Sequence, residues 1–411
     1  MRVLFVSNNF PPEVNAPAVR LIEHARRWTA DGHEVEVLTS NPNFPEGEIY
    51  DGYENRLVTD SVDGIDVVRV PMYVAENKGS FKRILSYVSF MISAWWYCRR
   101  TNEEPDLVVA TSPQFFAGLG GYLISRRLGT PFVLEIRDLW PESIVAVGAM
   151  SRNAVIRMFE RLEYFLYRKA DHIVVVTDSF KRVISSNGIP ANKISVLKNG
   201  FDVDSLAEPL DAAVLADYEE TLGLRGKFVV SYIGTIGMAH GVEIMVDAAE
   251  KCTDPDILFM IVGTGAERAK LENLVSERKL SNVLLVDKQP KEMVPYLLSL
   301  SSVSLVHLKK SALFKTVIPS KIFEAMALRR PIILGVEGES RDIVEEAGAG
   351  IPITPEDADD LLSAVLRLRE DSELYDSSAE SGFRYVNQFH DRQKLAREYW
   401  SILEGTVASA G

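Results

Sequence analysis

Short apolar runs typical of buried strands alternate along this chain with longer stretches that carry apolar residues at helical spacing. A helix from Pro17, for example, places Leu21, Ala25 and Trp28 on one face, and Gly32 ends it. The runs that predict strands in the first half are Arg2–Ser7, Glu34–Thr39, Asp66–Val70, Leu107–Ala110, Phe132–Ile136, His172–Thr177 and Ile194–Leu197. Because parallel strands need crossover connections, usually helices, this alternation predicts a parallel sheet covered by helices.

The same alternation starts again after residues 203–226, whose weak patterning indicates a connection between two domains. The strands predicted in this second half are Phe228–Ile233, Ile257–Val262, Val283–Val286, Val303–Leu308 and Pro331–Val336. The pattern of Asp391–Leu403 predicts a terminal helix that ends at Gly405. The chain is therefore predicted to be an α/β protein of two doubly wound halves in tandem.

Composition and charge narrow the classes of function. With 411 residues, of which 46% are hydrophobic, the chain can bury two cores. Its net charge of −13 argues against a general nucleic-acid binder. Cys98 and Cys252 lie far apart without metal-ligand spacing, which is typical of free thiols in a reducing compartment. No histidine pair or Asp-x-Asp triplet in a suitable loop indicates a metal, so we expect no metal cofactor.

Two apolar segments bear on whether the protein is exported or contacts a membrane. The first, Met1–Ser7, is too short and too quickly polar for a signal peptide, and no apolar run reaches the roughly 20 residues of a membrane span. We therefore expect a cytoplasmic protein. The second segment, Ile84–Cys98, is almost wholly apolar and aromatic, and its basic flanks are Lys78, Lys82, Arg83, Arg99 and Arg100. It predicts either a buried domain helix or an interfacial helix that meets anionic lipid at the inner face of a membrane.

Candidate chemistry is concentrated between Phe314 and Ala327. Pro319 and the preferred N-cap residue Ser320 predict a helix that begins at Lys321. The first turn of such a helix, together with the Lys321 ammonium, suits a phosphate. Glu324 shares that face and is placed to accept hydrogen bonds from two ribose hydroxyls. The alternative is an ordinary helix start, in which the carboxylate only complements the helix dipole.

Charged residues also follow a predicted strand in the first half. Arg137 and Asp138 come directly after Phe132–Ile136, at the edge where open α/β sheets bind ligands. Core packing explains charges at that place poorly, so the pair is a candidate for a site. A salt bridge or turn cap remains the alternative for Asp138.

These features together resemble the GT-B glycosyltransferases, and within them the retaining enzymes of family 4. The motifs that carry the resemblance lie in order along nearly the whole chain, namely Gly32–Val35, Asn199–Asp202, Gly263–Gly265 and Pro319–Glu324 followed by Arg330-Pro331. Phe314–Ala327, Arg137–Ser143 and Gly234–Gly241 look most like the bacterial L-fucosamine (N-acetyl-L-fucosamine) transferases of O-antigen and capsule assembly. The resemblance implies two Rossmann-like domains facing across a cleft. We assign residues 1–203 to the acceptor-side domain, residues 204–389 to the nucleotide-sugar domain, and residues 390–411 to a helix packing back on the first.

The chain departs from the family pattern at its charged positions. Thr316 stands where the family usually has the first of two glutamates, and Glu324 holds the second position. Thr235 and His240 stand in the loop where much of the family has an Arg and a Lys, and Arg137 replaces a common histidine. Lys321 and Arg137, and beside them Lys309, Lys310 or Lys315, are candidates to restore that charge. We interpret these departures as a different donor-sugar pocket.

The resemblance implies transfer of a sugar, N-acetylated in the nearest branch, from a UDP-sugar to a lipid-linked saccharide acceptor, without metal. In this reading Glu324 holds the ribose, while Ser320 and Lys321 hold the diphosphate. The nucleotide is expected to approach the backbone closely at Gly234, Thr235, Gly263 and Gly265, and its base is expected to lie near Lys288 and Gln289. Further donor-site contacts are expected from His240, Thr316 and Pro319. Asn15, Arg137 and Asp138 are expected to face the sugar. Two other functions stay open: a UDP-sugar 2-epimerase of the same architecture, and a non-catalytic UDP-sugar-binding subunit.

Overall fold

The computed structural model of the chain describes residues 1–44, 46–75, 80–101, 104–112, 115–142, 153–202 and 209–410, with only the backbone at positions 80 and 81. Lys78, Ser143 and the predicted boundary between residues 203 and 204 lie outside these residues. The chain forms two compact units. The first comprises Met1–Lys198 and Arg392–Gly411, and the second comprises Asn199–Asp391.

The first unit holds, within the described residues, an eight-stranded sheet in the order β3-β4-β2-β1-β5-β6-β7-β8. Its strands are Arg2–Val6 (β1), Glu34–Ser40 (β2), Val58–Val62 (β3), Ile65–Val70 (β4), Leu107–Thr111 (β5), Phe132–Ile136 (β6), His172–Val175 (β7) and Ile194–Val196 (β8). All neighbours pair in parallel except β3 and β4, which form an antiparallel hairpin at one edge. The described helices of this unit are Ala16–Ala30 (α1), Ser80–Cys98 (α2), Phe115–Leu128 (α3), Ala154–Lys169 (α4), Asp178–Ser186 (α5) and, from the chain end, Arg392–Ala410 (α14).

The second unit holds a parallel sheet in the order β11-β10-β9-β12-β13-β14. Its strands are Phe228–Ile233 (β9), Ile257–Val262 (β10), Val283–Val286 (β11), Val303–His307 (β12), Ile332–Gly335 (β13) and Gly350–Pro352 (β14). Its helices are Ala212–Thr221 (α6), Glu243–Lys251 (α7), Arg268–Arg278 (α8), Val294–Ser299 (α9), Lys321–Ala327 (α10), Glu339–Ala347 (α11), Ala358–Glu370 (α12) and Ser372–Phe389 (α13). Both units therefore have the doubly wound α/β architecture that the sequence predicts.

The core of the first unit joins the two ends of the described chain. Leu395, Tyr399 and Trp400 of α14 pack with Phe5 of β1 and Trp28 of α1 in one buried cluster. The Trp28 ring lies 5.4 Å from the rings of both Tyr399 and Trp400, and its indole Nε1 donates to the Ala396 carbonyl at 2.8 Å. Aromatic pairs of this kind stabilise a core beyond the area that they bury.

Two expectations about local structure are wrong, and one strand was not predicted. Residues 203–226 are not only a connection, because Ala212–Thr221 forms helix α6, whose low amphipathicity hid it. Gly405 does not end the terminal helix, which continues to Ala410, since a single glycine costs only about 1 kcal/mol in a helix interior. The hairpin strand β3 was missed because its residues are partly or fully exposed, so the sequence carries no apolar run there.

Candidate functional site

Helix α10 begins at Lys321, as predicted, but Ser320 does not cap it. Ser320 already has helical backbone angles (φ −61°, ψ −24°), and its side chain makes no capping hydrogen bond. Its hydroxyl instead forms a hydrogen bond with the Glu324 carboxylate, one turn along the helix. Ser320 and Glu324 are therefore coupled to each other, and the predicted capping role of Ser320 is wrong.

The Lys321 side chain lies against the carboxyl end of β9. Its Nζ atom is 3.7 Å from the centre of the Tyr232 ring, which is a cation–π contact. It also lies where Gly234 has no side chain, since a Cβ atom there would stand 2.6 Å from Lys321 Cε and 2.7 Å from Nζ. Among the described residues, no carboxylate oxygen lies within 4.0 Å of this ammonium, so its charge has no ion-pair partner there.

The two glycine turns of the second unit touch each other through their backbones. A Cβ atom at Gly263, which has φ +142°, would stand 1.9 Å from the Gly234 carbonyl oxygen. One at Gly265 would stand 2.3 Å from the Ile236 carbonyl oxygen. The loops after β9 and β10 can pack this closely only because glycine occupies both positions. The structure thus brings Gly234, Gly263 and Lys321 together.

Burial shifts the titration of the charged groups on α10. It lowers the pKa of Lys321 to about 7, against a smaller opposing effect of the Glu324 carboxylate. Burial also raises the pKa of Glu324, while Lys321, Lys291 and the Ser320 hydrogen bond act in the opposite direction. A lysine whose pKa lies near 7 is only partly protonated at neutral pH, and a bound anion strongly stabilises its charged ammonium form.

His240 closes the loop that begins at Gly234. Burial, and next the nearby Lys321 ammonium, lower the pKa of His240 to about 4, so its ring is neutral at physiological pH. The His240 carbonyl is held by His307, whose Nδ1 lies 2.6 Å away, while the backbone N–H of Glu356 donates to His307 Nε2 at 2.9 Å. Because Nε2 accepts, Nδ1 must carry the proton. His307 therefore fixes the end of the loop as a neutral imidazole.

The other predicted residues of the second unit lie on neighbouring loops. Thr316 ends a 3₁₀ turn and donates its hydroxyl to the Leu313 carbonyl at 2.7 Å, and the Pro319 carbonyl accepts from Ile322 N–H. Thr235 is exposed, and its carbonyl accepts from the Tyr232 hydroxyl at 2.6 Å. Lys288 is exposed after β11, and Gln289 accepts from the Tyr218 hydroxyl at 3.1 Å. Two of the compensating lysines are already paired: Lys309 with Glu243 at 3.4 Å and Lys315 with Glu337 at 3.2 Å.

Arg137, in the first unit, has no carboxylate contact of its own among the described residues. Its Nε atom is buried without a hydrogen-bond partner in that part of the chain, and its backbone N–H donates to the Ser112 hydroxyl at 3.0 Å. Burial, and next the charge of Arg20, lower the pKa of Arg137 to about 10. Arg20 takes the nearby carboxylate, with its Nε 3.1 Å from Glu135 Oε1. Asn15 is the N-cap of α1 and accepts from Ala18 N–H at 3.1 Å.

Asp138 lines a small apolar cavity with Trp140, Tyr167 and Glu163. Burial raises the pKa of Glu163 to about 8, and the carboxylates of Glu142, Glu160 and Asp138 add to the rise. Glu163 also accepts a short hydrogen bond from the Tyr167 hydroxyl. Asp138 therefore lines the same cavity as Glu163, whose carboxyl group keeps its proton at neutral pH.

Helix α2 has two different faces. Phe90, Ala94 and Cys98 are buried at intervals of four residues. On the other face Leu85, Ile92 and Trp96 are 44%, 56% and 48% exposed. The guanidinium of Arg100 lies 4.7 Å from the centre of the Trp96 ring, and that of Arg99 lies 5.1 Å from Trp95. The helix is thus buried on one face, as the first interpretation predicts, and its exposed apolar face leaves the interfacial interpretation a prediction.

The described part of the chain shows neither a cluster of metal ligands nor a membrane-spanning helix. No group of three or more His, Cys, Asp or Glu side chains is arranged there to hold a metal ion. No helix in the described ranges combines the length and apolar character that crossing a bilayer requires.

Three residues of these sites were not predicted. Tyr232 looks like an ordinary buried strand residue, and only the contact with Lys321 distinguishes it. His307 ends an apolar strand, and a polar residue at a strand end was the one available signal. Glu163 sits among the charged residues of an amphipathic helix, where the sequence gives no sign of burial.

Comparison with known proteins follows the same division of the chain. The family described as "Glycosyl transferase 4-like domain" matches residues 15–200, and the family "Glycosyl transferases group 1" matches residues 192–384. A protein named as a colanic acid biosynthesis glycosyl transferase of Escherichia coli (strain K12) is 23% identical over 98% of this chain and 100% of its own length. A UDP-Gal:alpha-D-GlcNAc-diphosphoundecaprenol alpha-1,3-galactosyltransferase of Escherichia coli is 25% identical over 70% of this chain and 73% of its own.

Solved structures give the same fold. The crystal structure of Anabaena HepE in complex with UDP-glucose aligns with a TM-score of 0.74 at 18% identity, covering 98% of this chain and 100% of that one. A sucrose-phosphate synthase from Thermosynechococcus elongatus aligns with a TM-score of 0.76 at 17% identity, covering 99% of both. The predicted GT-B fold is confirmed, while the L-fucosamine branch is not among the names of these relatives. Since the two family matches together run from residue 15 to 384, the chain is a group 1 glycosyltransferase of GT-B fold with a family-4-like N-terminal domain.

Proposed function

We propose that this enzyme transfers a sugar from a UDP-sugar to a lipid-linked saccharide, with retention of configuration and without a metal ion. The proposal that this site binds the donor rests on one observation. The Lys321 ammonium lies against the backbone of Gly234, with no carboxylate within 4.0 Å among the described residues. A partly buried ammonium without a counter-ion is a binding site for an anion, and the donor's diphosphate supplies one. The UDP and UDP-glucose bound to HepE support this choice of nucleotide.

We propose the remaining donor contacts around Lys321 as follows. Glu324, linked to Ser320, accepts the ribose hydroxyls, and the Gly234 and Gly263 turns admit the diphosphate close to the backbone. Lys288 and Gln289, after β11, flank the base. Thr235, His240, Gly265, Thr316 and Pro319 complete the surroundings of the nucleotide sugar. Lys321 then stabilises the charge that develops on the leaving UDP, which is the work that a metal ion performs in other transferases.

The sugar itself is proposed to be N-acetylated, as in N-acetyl-L-fucosamine, and to meet Asn15, Arg137 and Asp138. Resemblance of the motifs in residues 137–143, 234–241 and 314–327 supports this choice. The acceptor hydroxyl attacks the anomeric carbon on the face from which UDP leaves, and its proton passes to the departing diphosphate oxygen. This front-face route requires no protein nucleophile.

The acceptor is proposed to be a saccharide carried on a lipid diphosphate at the inner face of a membrane, for surface polysaccharide synthesis. The diphosphoundecaprenol acceptor in the name of the galactosyltransferase relative supports the lipid. The exposed apolar face of α2, with Arg99 and Arg100 beside it, supports a cytoplasmic protein bound peripherally to the bilayer.

The donor assignment is tested by calorimetry with UDP and uridine. Lys321→Ala should weaken UDP binding at least tenfold and leave uridine binding unchanged, because the lysine is assigned to the diphosphate. Glu324→Ala should weaken both ligands by about 1.5–3 kcal/mol, the range for hydrogen bonds to a charged group. Lys251→Ala, which removes an exposed lysine of the second unit that pairs with Asp359 on the surface, is the matched control. Equal losses of UDP and uridine in Lys321→Ala would show that the diphosphate assignment is wrong.

The reaction is tested with a panel of UDP-sugars in excess EDTA, with and without a lipid-linked acceptor. UDP release that requires the acceptor and persists in EDTA is expected. Epimerisation of the donor without an acceptor would favour the UDP-sugar 2-epimerase, and UDP-sugar binding without turnover on any acceptor would favour the non-catalytic subunit. Loss of activity in EDTA that Mg²⁺ restores would exclude the metal-free mechanism.

A further inference from the structure

Tyr232 lies near the end of β9, two residues before the glycine turn at Gly234. Its side chain is 0% exposed and packs in a core cluster with Ile236 and Val242. Burial raises the pKa of its phenol, so the hydroxyl keeps its proton, and it donates to the Thr235 carbonyl at 2.6 Å. The ring is therefore fixed by the core, and its hydroxyl is fixed by the loop that follows.

The face of this ring holds the Lys321 ammonium. The Nζ atom lies 3.7 Å from the ring centre, and the lysine side chain crosses the turn where Gly234 has no Cβ atom. An aromatic face carries a negative potential that attracts a cation. Because the ring has no net charge, it stabilises the ammonium without neutralising it.

Other lysines of the second unit are held differently. Three of them are paired with carboxylates, namely Lys251 with Asp359 at 2.7 Å, Lys309 with Glu243 at 3.4 Å and Lys315 with Glu337 at 3.2 Å. A carboxylate that holds a lysine also repels any anion that approaches it. An aromatic ring holds the cation without that repulsion, so Lys321 remains available to an anionic ligand.

The titratable groups that face Lys321 do not neutralise it either. The His240 ring lies 6.2 Å from the Tyr232 ring and is neutral at physiological pH. Glu324, on the same helix, forms a hydrogen bond with Ser320, and its carboxylate lies beyond 4.0 Å from the ammonium. Among the described residues, direct stabilisation of this ammonium thus comes from the Tyr232 ring.

Resting on the proposed function, we propose that Tyr232 is a positioning residue for the donor diphosphate. Its ring holds the Lys321 ammonium over the glycine turn, and its hydroxyl holds the turn itself through the Thr235 carbonyl. One buried side chain thereby fixes the cation and the backbone loop relative to each other before the anion arrives. Tyr232 needs no contact with the donor, because it acts through Lys321 and the loop.

The test changes the charge distribution of the ring while its shape stays nearly constant. Tyr232→Phe keeps the aromatic face and removes the hydroxyl, and a trifluorinated phenylalanine at the same position also removes most of the negative potential of the face. Calorimetry at pH 7 measures the affinities of the full chain for UDP, inorganic pyrophosphate and uridine. Both substitutions are close in shape to the native ring, so the test does not depend on a variant that opens a cavity.

The two substitutions should have separate effects. Tyr232→Phe should weaken UDP binding about threefold, through the lost hydrogen bond to the loop. Fluorination should weaken UDP and pyrophosphate by a further fivefold or so, the range of a cation–π contact, and leave uridine unchanged. The control is the same trifluorinated residue at Phe259, which is equally buried on the neighbouring strand β10 and should change no affinity.

A double-mutant cycle separates positioning from packing. In a Lys321→Ala background, fluorination at position 232 should leave UDP affinity unchanged, because the ring acts through the lysine. Equal losses in both backgrounds would assign Tyr232 to core packing and overturn the inference.

Failure of this inference differs from failure of the proposed donor. If Lys321→Ala weakens UDP but the fluorinated ring binds UDP as Tyr232→Phe does, the positioning role is overturned and the donor assignment stands. If pyrophosphate binding depends on both Lys321 and the ring while UDP does not bind, the donor assignment is overturned and the positioning of Lys321 for an anion stands.

Discussion

The two units build their candidate sites in different ways. In the second unit, the loops after β9 and β10 are shaped by glycines whose backbones touch, and one lysine enters the space that they leave. In the first unit, buried charged side chains have this role: Glu13 accepts from the loop after β2, Arg69 donates to the loop after β1, and Arg20 of α1 pairs with Glu135 of β6. Backbone contacts shape the proposed donor site, and side chains shape the unit proposed to hold the acceptor.

This difference has a physical consequence for substrate choice. A nucleotide diphosphate is the same in many donors, and a glycine turn that admits it cannot change without a steric clash. A loop held by side-chain hydrogen bonds can be rebuilt by substitutions in pairs, as long as no buried group loses its partner. On the proposed acceptor assignment, the first unit is therefore the part in which a new acceptor is most easily accommodated. Four variants test this contrast.

The largest effect is expected for Arg20→Met in the first unit. It leaves the Glu135 carboxylate, which is 4% exposed, without the guanidinium 3.1 Å away. Removing one partner of a buried pair costs about 3–5 kcal/mol, which should appear as a lower midpoint of the first-unit transition in urea denaturation. UDP affinity should not change. The control is Arg26→Met on the same helix, whose pair with Asp63 is half exposed and contributes under about 1 kcal/mol.

Gly263→Ala should have the next largest effect, on donor binding. Its Cβ atom would stand 1.9 Å from the Gly234 carbonyl oxygen, so the turn must move. We expect UDP affinity to fall about 100-fold, or roughly 3 kcal/mol. Gly223→Ala is the control, because that glycine also has positive φ (+66°) but no atom within 4 Å of the added Cβ. Unchanged UDP binding in a folded Gly263→Ala protein would remove the glycine turns from the donor site.

The pKa of Lys321 predicts how the affinity for UDP depends on pH. Its pKa is about 7 in the free protein, and a bound diphosphate stabilises the ammonium and raises that pKa. Binding therefore takes up a proton above pH 7, and affinity should fall by up to roughly tenfold per pH unit between 7 and 9. Calorimetry in buffers of different ionisation enthalpy measures the uptake. Lys321→Arg, which keeps its charge, should bind UDP with a flat profile over that range.

The smallest effect is expected at the exposed apolar face of helix α2, which is the face proposed to meet the membrane. Arg100→Gln should weaken binding to phosphatidylglycerol vesicles by about 1 kcal/mol, roughly fivefold, because each basic residue near an anionic surface contributes about that much. Higher salt should reduce the difference. Arg225→Gln, which removes an exposed arginine of the second unit, is the control. Sedimentation with vesicles measures both, and a wild type that ignores anionic lipid would leave α2 as an ordinary surface helix.

Apolar periodicity predicted most of the fold, because buried strands such as Leu107–Thr111 cannot hide their hydrophobic run. It failed at exposed elements such as Val58–Val62, which carry no such run. For the site, the start of α10 at Lys321 was readable from Pro319, but the contact of Lys321 with Tyr232 was not. Contacts of that kind join distant parts of the chain, and no local pattern encodes them. The same holds for Arg20 and Glu135, which are 115 residues apart in sequence.

Helix α14 affects how the enzyme is made. The core around Phe5 and Trp28 lacks Leu395, Tyr399 and Trp400 until residues 392–410 have emerged from the ribosome. The second unit, which is continuous from Asn199 to Asp391, can complete its own fold before that moment. During synthesis the first unit therefore remains an incompletely packed nascent chain, with apolar surface open to chaperones, although its sheet is translated first.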